Sequence, residues 1–252
     1  MTQEVDLSGR VILVTGASRG IGLAIARAFH SRGAKVALSA RGKEGLATAE
    51  KELGDRALAV EMDVAQESSV QAGIERVASR FGRIDVLVNN AAVGRLSRIA
   101  DISDEDLLDQ VGINFLGAVY CVRSVVPYLR KAGGGDILNV SSDSVERPFP
   151  YLGIYGATKA ALEKLTEALR SELAPEDIRV SLLRSGPSLT GFASGWPPDL
   201  AATAFKAWAA GDFLDPQSVM SPEVVAEAAV FMVTRPREAS VHTFDVRPRR
   251  IG

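Results

Sequence analysis

The sequence holds a single cysteine, Cys121, which excludes an intrachain disulfide and any multi-cysteine metal site. It has almost no net charge. Lys and Arg total 29 and Asp and Glu 31, a formal charge of −2 that argues against a nucleic-acid or membrane partner. No run approaches the ~18 consecutive apolar residues of a membrane span. The polar stretch Met1–Arg10 lacks the apolar centre of a secretory leader, so the expectation is a cytoplasmic protein. The basic tail Arg247–Arg250 is expected to be a solvated end or a subunit contact.

What is present is alternation. Apolar β-rich runs at Val11–Val14, Lys35–Ala40, Ala57–Met62, Asp85–Val88, Asp136–Val140, Ile178–Leu183 and Val241–Val246 are separated by amphipathic helical stretches. That order predicts an α/β fold: one doubly wound, Rossmann-like parallel sheet with helices on both faces. Neither a repeat nor a linker divides the 252 residues, so one domain is expected. Ser103 is placed to cap a helix, a long helix should end near Lys131, and Pro175 should stop the helix that begins near Tyr155. The stretch 188–221 reads as irregular, broken by Pro197-Pro198 and Pro216, and is expected to cover the substrate. Trp196, Trp208, Phe192, Phe205 and Phe213 all fall within it. They suit an apolar lid, or simply the packing of a short helix.

Two local patterns carry chemistry. Gly16, Gly20 and Gly22 follow the first strand and open a helix, where a diphosphate is received by backbone amides at a positive helix end. The spacing is Gly-x-x-x-Gly-x-Gly, related to the dinucleotide fingerprint without matching it. The second strand ends at Ala40-Arg41, without the carboxylate that usually holds a ribose 2′-hydroxyl. Arg41 and Arg19 would attract a 2′-phosphate, so NADP(H) is preferred, with NAD(H) possible.

The second pattern is Tyr155 and Lys159, four apart and therefore on one helix face, with Ser142 upstream. An ammonium beside a phenol is expected to lower its pKa and fit it for proton transfer. Asn114, a poor helix-interior residue inside a predicted helix, invites a functional reason. Ser141 should face the opposite side of its strand from Ser142. Arg95, Arg147 and Arg184 are expected to form surface pairs rather than to hold a carboxylate.

Taken in order, Thr15-Gly16-Ala17-Ser18-Arg19-Gly20-Ile21-Gly22, Asp63-Val64, Asn89-Asn90-Ala91, Asn114, Ser142, Tyr155 with Lys159, and Gly186 with Thr190 resemble the short-chain dehydrogenase/reductase family. The resemblance implies an oxidoreductase acting on a carbonyl or secondary alcohol. It implies Tyr155 as general acid/base, Lys159 as the group that lowers its pKa and bonds the nicotinamide ribose, and Ser142 as the group that orients the substrate oxygen. Asn114 would hold a water leading from Lys159 to solvent. Gly16, Ser18, Arg19, Gly20, Ile21, Gly22, Arg41, Asp63, Val64, Asn90, Ala91, Gly186 and Thr190 would line the cofactor. Asp63 and Val64 would meet adenine, Asn90 the adjacent ribose region, and Thr190 the nicotinamide amide. Homodimers or homotetramers are implied as well. Ser185, Ser188 and the run Phe244–Pro248 depart from the usual pattern. The alternative is a non-catalytic dinucleotide sensor or scaffold, which has no need of Asn114, Ser142, Tyr155 and Lys159 together.

Overall fold

A computed structural model of the chain describes residues 6–213 and 219–249. Seven strands, β1 (Val11–Thr15), β2 (Lys35–Ala40), β3 (Ala57–Glu61), β4 (Val86–Asn89), β5 (Gly135–Ser142), β6 (Ile178–Ser185) and β7 (Thr243–Val246), form one sheet in the order β3-β2-β1-β4-β5-β6-β7. Every pairing is parallel. The unbroken apolar runs are explained by burial on both faces. Ile12 and Val14 of β1 enter one core, and Val11 and Leu13 enter the other. The first core is covered by α1 (Gly20–Ser31), α2 (Lys43–Leu53) and α8 (Pro222–Val233). The second is covered by α3 (Glu67–Phe81), α5 (Gly117–Lys131) and α6 (Gly153–Leu173).

Strand order reverses between β1 and β4, which opens a crevice at their carboxyl ends. The opposite edge is closed by charge. Buried Asp136 takes Arg179 and Arg10, each at 2.7 Å. Arg179 also donates to the carbonyls of Val233, Arg235, Pro236 and Ala239, which closes the chain leaving α8.

Ser103 caps α4 (Asp104–Val111) by accepting the Asp106 amide at 3.1 Å, as its position predicts. α4 and α5 are joined through a π-helical turn, Gly112–Leu116, that contains Asn114. The resulting helix, Asp104–Lys131, is long and apolar enough to cross a membrane by length and composition alone. Its apolar stripe, with Cys121, Val125 and Leu129 fully buried, is part of the second core, and α3 packs against it.

One sequence expectation fails. The segment 188–221 is not irregular throughout: it contains α7, the 13-residue helix Pro198–Ala210. Pro197-Pro198 starts this helix rather than breaking it, because the first turn has no use for the missing N–H. Pro216 lies outside the described residues.

Candidate active site

The glycine turn is built on Thr15, which is 1% exposed. Its hydroxyl accepts the amides of Asn90 and Ala91, both at 3.0 Å, and so ties the ends of β1 and β4 together. The Asn90 side-chain amide donates back to the carbonyls of Thr15 (2.9 Å) and Gly16 (3.2 Å). Asn90 thus braces the turn, and its amide points at backbone rather than at an open ribose position. Gly16 and Gly20 are left-handed, with φ of 66° and 57°. At Gly22 an added Cβ would lie 2.9 Å from the Gly16 carbonyl carbon and 2.5 Å from the Asn90 amide nitrogen.

α1 begins without a side-chain cap from Arg19 and with no acidic residue in its first turn. Its first amides are therefore left for an anion, and a dinucleotide diphosphate fits that chemistry. Ile21 packs into the first core, and Ser18 lies against Gly45 of α2. At the end of β3, the Asp63 carboxylate accepts the Ala65 amide (3.1 Å), and Val64 packs against Gly117.

The neighbourhood of Arg41 holds a carboxylate after all. In register with Ala40 across β2 and β3 stands Glu61, paired with Lys43 at 3.2 Å. Only strand pairing brings Glu61 there, twenty-one residues along the chain. Arg41 is exposed beyond β2, whereas Arg19 donates to the Ser194 hydroxyl at 3.1 Å.

At the carboxyl end of β5, the Ser142 hydroxyl meets the phenol of Tyr155, which α6 carries together with Lys159. Ser141 lies on the opposite side of the strand from Ser142, as alternation predicts, and that side is the one α6 covers: it donates to Glu163 of α6 at 2.7 Å. Lys159, 2% exposed, donates to the Val140 carbonyl at 2.8 Å, and its nitrogen lies 5.8 Å from the centre of the Tyr155 ring. Burial lowers its pKa to about 8, so it remains an ammonium at neutral pH.

Tyr155 corrects the sequence reading. Its pKa is pushed up to about 12 by burial, and a hydrogen bond to Ser142 opposes that rise. Desolvation disfavours the phenolate more than its surroundings favour it, because the ammonium is spent on a carbonyl instead of on the phenol.

Asn114 is a strut. It accepts the Val93 amide at 2.8 Å and donates to the Val93 carbonyl (2.8 Å) and the Thr158 hydroxyl (3.0 Å). Thr158 in turn donates to the Tyr155 carbonyl at 2.7 Å. The π turn accommodates the asparagine that an α-helix interior tolerates poorly.

Over this cluster lies the segment after β6. Gly186 lies tight beneath the C-terminal tail, where an added Cβ would meet Pro248 at 2.9 Å, and the Ser185 and Ser188 hydroxyls both donate to its carbonyl. Thr190 lies against Gly20, its Cβ 3.2 Å from where a Cβ would stand. The Phe192 ring packs on Tyr155 at 5.1 Å between centroids, followed by Trp196 at 5.6 Å from Phe192 and Trp208 at 5.9 Å from Trp196. Trp196 donates to the Gly94 carbonyl (2.8 Å), and Phe192 reaches the same glycine because it lacks a Cβ.

Arg95 pairs with Asp109 at 2.7 Å and Arg184 with Glu163 at 2.7 Å, and Arg147 donates to the Asp212 carbonyl. Arg95 is paired near the surface as expected, whereas Arg184 and Glu163 form a largely buried pair, 13% and 14% exposed, and Arg147 is bonded to backbone. Gly94 and Asp143 belong to the site and escaped sequence reasoning, and Thr15, which opens the matching motif, carries a bracing role that its sequence position did not reveal. Asp143 follows Ser142 directly, and Gly94 follows Asn89–Val93, so adjacency was the available signal.

A Rossmann-like sheet with an anion-ready glycine turn, next to a serine, a tyrosine and a lysine at the strand ends, defines a nicotinamide-dependent oxidoreductase. Comparison with known proteins agrees: residues 10–200 match the short chain dehydrogenase family, and the chain belongs to it. An uncharacterized oxidoreductase of Staphylococcus epidermidis is 30% identical over 239 residues, 95% of this chain and 97% of that protein. The crystal structure of 3-ketoacyl-(acyl-carrier-protein) reductase from Brucella melitensis complexed with NADH is 33% identical. It superposes with a TM-score of 0.84 over 96% of this chain and 98% of that one. The closed form of serine dehydrogenase complexed with NADP+ is 29% identical, with a TM-score of 0.85 over 96% and 97% of the two chains.

Proposed function

We propose that this enzyme is an NADP(H)-dependent oxidoreductase that interconverts a carbonyl and a secondary alcohol, with Tyr155 as the general acid/base. The observation that carries the reading is the convergence of Ser142, Tyr155 and Lys159 beside the glycine turn. Nicotinamide supplies or accepts the hydride when bound. Tyr155 gives its proton to the substrate oxygen in reduction and takes one in oxidation. Ser142 holds that oxygen, Lys159 keeps a positive charge beneath the phenol, and Asn114 keeps α6 in register with the loop after β4. Gly16 through Gly22 hold the diphosphate, with Asp63, Val64, Asn90, Ala91, Gly186 and Thr190 along the remaining wall.

The test is NADPH consumption across a panel of ketones and 3-oxoacyl thioesters. Tight NADPH binding with no turnover on any of them would favour the sensor alternative.

The NADP(H) preference rests on Arg41 and on the neutralisation of Glu61 by Lys43. Charge-assisted bonds to a phosphate contribute about 1.5–3 kcal/mol. Arg41→Asp is accordingly expected to weaken NADPH about 10- to 100-fold and NADH much less. Equal losses in a titration of both dinucleotides would count against the assignment.

The segment 188–221 acts in this reading as the substrate cover, and its aromatic underside selects apolar ketones. Removing the Phe192 ring takes one wall from the site. KM for bulky apolar ketones should rise about tenfold, the effect of ~1.4 kcal/mol of lost apolar contact, while kcat holds. An unchanged KM in Phe192→Ala would remove the lid from the account. The reading is of a single domain acting in the cytoplasm without nucleic-acid or membrane partners. The exposed Leu108 and Leu116 on one face and Val224 and Phe231 on another support a homodimer or homotetramer.

A further inference from the structure

The catalytic cluster holds a carboxyl group for which the hydride-transfer scheme has no role. Asp143 opens the short turn Asp143–Val145 directly after Ser142 and is 5% exposed. Its Oδ1 lies 3.4 Å from Ser142 Oγ. That is long for a neutral hydroxyl pair, but a carboxylate's charge acts over the distance in a desolvated site. Ser142 Oγ already accepts the Ser144 amide at 3.2 Å and is hydrogen-bonded to the Tyr155 phenol. A hydroxyl has one proton and two lone pairs. If the proton goes to Asp143, Ser142 can only accept from whatever stands over Tyr155.

Resting on the oxidoreductase reading above, we propose that Asp143 is a positioning residue that sets the polarity of the Ser142 hydroxyl. When ionised, it draws the Ser142 proton and leaves an acceptor suited to an alcohol O–H. When protonated, it frees that proton for a carbonyl oxygen. The same serine thus favours oxidation in one charge state and reduction in the other.

The surroundings raise the Asp143 carboxyl above its ordinary value. Burial raises the Asp143 pKa and Asp245 of β7 adds to the rise, while Arg147 on its own loop, Arg247 on the C-terminal tail and the bond to Ser142 oppose it. From α6, Tyr155 faces the same group, and a charged Asp143 pushes the phenol's pKa up.

The experiment compares the pH dependence of kcat for reduction and oxidation in wild type, Asp143→Asn and Arg247→Ala, with both substrates saturating. In the wild type, reduction should fall on the order of fivefold as pH rises through the Asp143 transition, and oxidation should rise. Asp143→Asn should lose this limb in both directions. Arg247→Ala, at an exposed position, should move the limb to higher pH, because a cation that stabilises the carboxylate is gone.

A second readout needs no turnover. The ultraviolet phenolate signal of Tyr155, taken against Tyr155→Phe, should appear at lower pH in Asp143→Asn. A limb that persists in Asp143→Asn, or stays in place in Arg247→Ala, overturns the proposal. So does a loss of activity that is uniform across pH, which marks a structural role. Should the wild type turn over no carbonyl, the oxidoreductase reading fails separately. An unshifted phenolate midpoint would then remove Asp143 as well, and a lowered one would retain its coupling to the site.

Discussion

Tyr155→Phe is expected to lower kcat by about 10²–10⁴-fold, the usual contribution of a positioned general acid or base. The phenol is the group at this site whose proton can reach a substrate oxygen held by Ser142, and the substitution removes one atom without altering the ring that packs on Phe192. Dinucleotide affinity should therefore stay within about twofold, since an effect confined to proton transfer leaves ground-state binding alone. A variant with most of its turnover intact would refute the scheme.

The pH behaviour has a definite sign. Lys159, at about 8 in the folded chain, sits below its unfolded value of 10.5. Between those limits the unfolded chain binds more protons, so Lys159 contributes stability that rises with pH from about 8 to about 10.5. Replacing it with Met should flatten that rise, as read from chemical denaturation across the window.

Gly22→Ala should weaken NADPH binding about 100-fold or more, equivalent to about 2.7 kcal/mol. The new methyl group would stand 2.9 Å from the Gly16 carbonyl carbon and 2.5 Å from the Asn90 amide nitrogen. Neither can yield. Asn90 is bonded to the carbonyls of Thr15 and Gly16, and Thr15 holds the Asn90 and Ala91 amides. Relief requires the turn to shift, which carries the first amides of α1 away from the diphosphate. Overpacking of this kind also costs about 1–3 kcal/mol of stability, so denaturation melts should accompany the binding titration. Unchanged affinity in a folded Gly22→Ala would mean that the turn does not hold a phosphate.

Much of the fold was legible because its determinants are local. Doubly buried parallel strands need continuous apolar runs, and Val11–Val14 and Ile178–Leu183 have them. Ser103 and Pro175 mark helix ends by capping and by a missing donor, effects that span a few residues. α7 was foreseen only as a short helix of unplaced bounds, because Pro197-Pro198 was read as a break, and the packing of its Trp208 and Ala204 against Phe149 and Leu152 fits a helix start there instead.

In the active site the sequence alone indicated which residues meet: Tyr155 above Lys159 by helical periodicity, and Ser142 rather than Ser141 by its spacing from Tyr155. It did not determine what those residues do with their hydrogen bonds. Lys159 donates to the Val140 carbonyl, the Tyr155 phenol is desolvated, and Glu61 arrives beside Ala40 through strand pairing. Charges and hydrogen bonds depend on distances between groups far apart in the chain and on how much water is excluded around them. The order of residues does not encode those quantities until the sheet has closed.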